Sequence, residues 1–256
     1  MCIRDRKETV NQNIAFLELK FGNIYGGPPN FYAVHEVALL VFEPHSNKVF
    51  LESMTVAVDA EIVSVTARVN ELGNTIDRVK EVVNMKTKRI REFDETYQIF
   101  DQELDDVFGL LRPAQRWVRA FFGKCMQKYR IRDIVTFDGR RDLFLLEKAR
   151  IRFDRLNIID LQKDIIKETN YLFSLNKLAV VTGFDFNGTM LKSNNEEYWM
   201  HPIAAKQIVP RSASFDAARL LMVHQEFHSH RDDFLMKAAL LLNKIEMQKA
   251  KEAESK

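Results

Sequence analysis

In the stretch FLELKFG, residues 16–22, apolar Leu17, Leu19 and Phe21 alternate with Glu18 and Lys20. On an extended chain the two charges share one face and the three apolar groups the other, which predicts a strand over 13–21. The following FGNIYGGPPN cannot continue regular structure, because its glycines and paired prolines disrupt it. HEVALLVFE at 35–43 and NKVFLESMTVAV at 47–58, separated by PHSN, predict two more strands and a three-strand antiparallel meander.

From about 61 to 130 the apolar spacing reads as helical: Leu104, Val107, Phe108, Leu110 and Leu111, then Trp117, Phe121 and Phe122, recur at intervals of three and four. DIVTF at 133–137 predicts a strand, RDLFLLEKA at 141–149 a helix and LNIID at 156–160 a strand, a β-α-β unit that implies parallel pairing. Helical patterns cover much of 161–182. After a polar loop around 184–209 they run from about Ser212 nearly to the C-terminus, where KAKEAESK reads as a solvated tail. The pattern predicts an α/β fold with a mixed sheet, three antiparallel strands followed by parallel ones, flanked by helices.

With 46% hydrophobic and 29% charged residues, 256 residues suffice for one large domain with a substantial core. No apolar run reaches the roughly 18–20 residues of a membrane span, and the two cysteines, Cys2 and Cys125, make no metal-ligand spacing. These features imply a cytoplasmic protein in a reducing compartment. Read back through the genetic code, MCIRDR resembles the end of a sequencing-library adapter, so residues 1–6 are set aside. A net charge of +2 neither demands nor forbids a nucleic-acid partner.

FLELKF, VTFDGRRDLFLL and IVPRSASFDAARLL, with NIIDLQKDI and SLNKLAVVTGF between the last two, occur in an order that resembles the ribonuclease H-like 3′-5′ exonucleases of the DEDD group, the superfamily of the polymerase proofreading subunit. The resemblance covers most of 13–227 and implies an exonuclease-like domain over 7–227, with a C-terminal helical extension and tail over 228–256. It implies four carboxylates holding two Mg2+ or Mn2+ ions, one generating the attacking hydroxide and one stabilising the leaving oxygen, at the 3′ end of a single-stranded nucleic acid. The family's Asp-x-Glu falls on Glu18 and Lys20, its second Asp on Asp142, with Asp138 four residues earlier. Its last Asp falls on Asp216, five residues after Arg211, which stands where a general-base His is expected. Glu18, Asp142 and Asp216 are therefore the candidate catalytic and metal-binding residues.

Lys20 opposes that chemistry. At an effective dielectric of ~20, two like unit charges a few ångströms apart repel by several kcal/mol, and a divalent ion about doubles this. Arg211 cannot act as a base near neutral pH. The alternative to hydrolysis is a nuclease-derived module that binds nucleic acid or protein through the old cleft.

His228 and Asp233 in HSHRDD offer a second frame for the last pair, although Pro210 and Ser212 mark a helix start directly before Asp216. His224 and His228 invite a zinc reading, but Gln225 stands where the zincin pattern requires Glu. KTKRIRE and KYRIRD could track phosphates or simply be solvated faces. The stripe Phe234, Leu235, Ala238, Leu241, Leu242 and Ile245 fits packing on its own domain, or a homodimer through the C-terminal helix.

Overall fold

Strand β1 (Ile14–Ile24) forms the spine of the main sheet in the computed structural model, which describes residues 12–94 and 104–254. It pairs antiparallel with β2 (Tyr32–Glu43), which pairs antiparallel with β3 (Lys48–Thr55). Three more strands follow, β4 (Glu61–Val69), β5 (Thr75–Asn84) and β6 (Ile90–Glu92), then helix α1 (Leu104–Tyr129). Strand β7 (Asp133–Thr136) lies parallel to β1 on its free edge. Helix α2 (Arg140–Lys148) leads to β8 (Asn157–Asp160), parallel to β7. The sheet is therefore mixed, antiparallel through β1, β2 and β3 and parallel through β1, β7 and β8.

Both faces of its centre are covered. Leu17, Leu19, Val37, Leu39, Val41 and Ile134 pack with Leu111, Val118, Phe122 and Leu146 of α1 and α2. The opposite face carries Phe16, Ala38, Leu40 and Val135. It is covered by α3 (Leu161–Thr169), α4 (Leu175–Thr182), α6 (Ala213–Ser229) and α7 (Arg231–Glu254). Burial on both sides explains why ALLVF in β2 is continuously apolar rather than alternating. It also settles where Glu18 and Lys20 point: by the period of two they share the Phe16 face, which α6 covers rather than bulk water.

The structure corrects the helical reading of the segment following residue 61. β4 and β5 form a long antiparallel hairpin joined to β1 only at its base, Asn23↔Val63 and Ile24↔Ile62. EIVSVTARV is rich in β-branched residues, which favour strands. Beyond buried Ile62 and Val82, however, most of both faces is exposed, so no apolar alternation marks it. Gly22 lets this hairpin approach: a Cβ there would lie 2.2 Å from the Val63 carbonyl oxygen.

The expected loop at 184–209 contains a second small sheet, β9 (Asp185–Asn187), β10 (Met190–Lys192) and β11 (Glu197–Trp199), and a one-turn helix α5 (Pro202–Ala205). Three-residue strands are too short to show a period. Helix α7 continues to Glu254 through most of the expected tail, and its Phe234, Ala238, Leu241 and Ile245 are buried in the chain's own core. Among the described residues no helix is long and apolar enough to cross a membrane.

Candidate functional site

Of the three acids chosen from the sequence, Asp142 and Asp216 lie near enough to Glu18 to act on its charge, because three local structures bring them to one region of the sheet. Glu18 and Lys20 leave the same face of β1, and Asp142 lies in the first turn of α2, directly after β7. Asp216 lies in the first turn of α6, whose N-cap Ser212 accepts a hydrogen bond from the Phe215 amide at 3.1 Å. A second fixture comes from β2: the Glu36 carboxylate accepts from the Ala213 amide at 3.0 Å, tying the start of α6 to the sheet. Glu36 also faces Lys20 across the β1–β2 ladder.

The centre of the site is a protein cation. The Lys20 ammonium donates directly to Asp216 Oδ2 in a partly buried ion pair. Asp216 Oδ1 accepts from Arg219 Nη1 at 3.2 Å, and the same Nη1 donates to Asn176 Oδ1 at 2.8 Å. The Arg219 guanidinium lies over the Phe215 ring, 4.3 Å from its centroid, and its Nε is buried with no partner. Asp216 thus has both oxygens engaged by cations from its own chain.

The electrostatics follow from burial among like charges. Burial, then the carboxylates of Asp216 and Asp142, holds Glu18 well above the usual carboxylate range, with Lys20 pulling the other way. Burial pushes Asp142 up to about 7, helped by Asp138 and opposed by Lys20 and Arg141. Burial works against the Lys20 ammonium, but Asp216, Glu18 and Glu36 outweigh it and raise its pKa above the ordinary lysine value. Beside it, His35 is driven down to about 4 by burial and by the charges of Lys88 and Lys20, and so is neutral at pH 7.

Lys20, His35, Asp216 and Arg219 open into a cleft of about 690 Å³, while Glu18 and Asp142 lie outside its lining. One wall is Ser64 to Val69 of β4, and the other is Pro210, Arg211, Phe215, Asp216 and Arg219. The hairpin tip reaches past the cleft to α4: a Cβ on Gly73 would lie 2.7 Å from the Lys177 amide nitrogen, and Leu72 packs on the core. Arg68 and Arg211 are exposed on the two walls.

As a divalent-metal site the donor set does not fit. Magnesium requires several oxygen ligands, whereas here an ammonium is bonded to one of the three acids. Among the described residues no three His, Cys, Asp or Glu side chains are grouped so as to hold a metal. The rival pair lies elsewhere: Asp233 is bonded to Asn195 and Lys237, and His228 lies against His224 with the rings tilted by 54°, 4.3 Å between centroids. His224 packs edge-on against Phe16 in the core. In KTKRIRE, Arg91 pairs with Glu61 and Lys86 with Asp59. In KYRIRD, Lys128 pairs with Glu52.

The sequence reading missed Arg219, Glu36, His35, Asn176 and the whole β4 wall. Arg219 alone carried a signal, since an Arg three residues after an Asp on a helix shares its face.

No family model and no curated protein matches the chain. Among solved structures it is similar to a crystal structure of a full-length 3′-exonuclease, at 13% identity and a TM-score of 0.34 over 86% of this chain. The chain spans 64% of that structure's length.

Proposed function

We propose that the chain is a ribonuclease H-like domain of the DEDD 3′-5′ exonuclease type in which a lysine has taken the place of the metals. In this reading it holds the 3′ end of a single-stranded nucleic acid without hydrolysing it. The observation that carries this reading is the Lys20 ammonium bonded to Asp216 beside Glu18 and Asp142.

The ammonium neutralises part of an acidic cluster that would otherwise repel a phosphate, while Arg68, Arg211 and Arg219 on the cleft walls supply donors for phosphate oxygens. Hydrolysis would need a base and an activated water. Arg211 cannot accept a proton, Asp216 is already held by Lys20 and Arg219, and burial with the Asp216 and Asp142 carboxylates raises the pKa of Glu18. The convergence of Glu18, Asp142 and Asp216 favours one second reading, residual metal-dependent hydrolysis.

An end-labelled single strand separates the two. Binding of equal strength in magnesium and in chelator, with the label remaining full-length, is the expected result. Mononucleotide release in manganese that Asp142→Asn abolishes would overturn the binding-only reading. Lys20→Glu should gain manganese affinity by calorimetry, and the parent chain should show none.

A further inference from the structure

A second basic feature lies on the other side of the sheet, in a groove of about 410 Å³ between α1 and the C-terminal end of α2. Arg112, Arg116 and Arg119 recur on α1 at i, i+4 and i+7, so they form one ridge. Lys148 and Arg150 face them from the other wall. All five are exposed, and among the described residues none is ion-paired to a carboxylate. This sets the groove apart from KTKRIRE and KYRIRD, where acids of the chain already hold cations.

The groove does not end in solvent. Through Gln115, Lys148 and Ala149 it continues into an apolar hollow of about 240 Å³, walled by Phe31, Tyr32, Phe108 and Phe144. Phe108 and Phe144 remain 40% and 50% exposed; the Lys148 ammonium lies 5.1 Å from the Phe144 ring centroid and Phe108 meets Phe31 edge-to-face, so a base would stack on the ring surface that these contacts leave open. A row of cations without carboxylate partners among the described residues, leading to aromatic rings, is the pairing that single-stranded nucleic acids use, phosphates along the cations and bases on the rings. An acidic peptide would satisfy the cations but would have no use for the rings.

We infer that this groove is a phosphate track for single-stranded nucleic acid and that the aromatic hollow receives one of its bases. The assignment rests on the nucleic-acid reading of the chain and adds to it a binding surface outside the cleft beside Asp216.

Binding of a fluorescent oligodeoxythymidylate and an oligouridylate, titrated by anisotropy across a range of KCl, tests it. Arg116→Glu with Arg119→Glu should weaken binding at least tenfold, and the salt slope should flatten by about 0.7 for each phosphate no longer neutralised. Phe144→Ala should weaken it about tenfold with the slope unchanged, which corresponds to loss of one base stack. All three positions are exposed, so circular dichroism and Tm should match the parent. Unchanged affinity in the charge-reversed variant, with binding lost in Arg68→Glu with Arg211→Glu, would overturn the groove and leave the cleft reading standing. Absence of binding by the parent chain to either probe at low salt would overturn both. Displacement of the probe by polyglutamate as readily as by unlabelled oligonucleotide would overturn the choice of ligand.

Discussion

Lys20 and Asp142 are opposite responses to one environment. Burial disfavours the charged form of both: for Lys20 the carboxylates of Asp216, Glu18 and Glu36 outweigh it, whereas for Asp142 burial prevails over the pull of Lys20. For Asp142 the folded pKa lies above the ordinary 3.8, at about 7. Between those values the unfolded chain is ionised while the folded one holds its proton, so stability falls as pH rises through that window and the penalty persists above it. Asp142→Asn should therefore raise Tm by a few degrees at about pH 8, and leave it unchanged at about pH 4. Thermal melts at the two pH values check this, and an equal gain at both would point to packing instead of ionisation.

The elements differ in how much of themselves they disclose in sequence. β7, α2 and β8 were legible because each is a short apolar run bounded by charged or turn residues, and α6 because Pro210 and Ser212 announce its start. That placed Asp142 and Asp216 correctly at two helix N-termini. β4 and β5 were not legible, since an arm wet on both sides has no apolar face to read. The Lys20–Asp216 bond joins residues 196 positions apart, which no local spacing can reveal.

The small sheet depends on an equally hidden anchor. Buried Glu226 of α6 accepts from the Asn195 amide at 2.7 Å and from Asn195 Nδ2 at 2.9 Å, and also from the Ser193 hydroxyl. Glu226→Ala leaves those donors unpaired and should destabilise the fold by about 2–3 kcal/mol. In a thermal melt that corresponds to roughly 5–10 °C. Glu226→Gln, which keeps an acceptor, should lose less.

At the scale of the whole molecule the net charge of +2 conceals its arrangement. Among the described residues, cations line both the cleft beside Asp216 and the α1–α2 groove, on opposite faces of one sheet. The cleft is bridged by the β4–β5 hairpin, fixed at its base where Gly22 admits Val63 and at its tip where Gly73 meets α4. In the nucleic-acid reading proposed above, a span fixed at both ends would make the space beneath it an eyelet, and an eyelet discriminates by topology. A linear strand would thread it by its end, whereas a covalently closed circle of the same sequence has no end to offer and would keep only its hold on the open groove. The linear form should bind more tightly than the circle. Gly73→Val, whose side chain would collide with α4 and lift the tip, should bring the two affinities together.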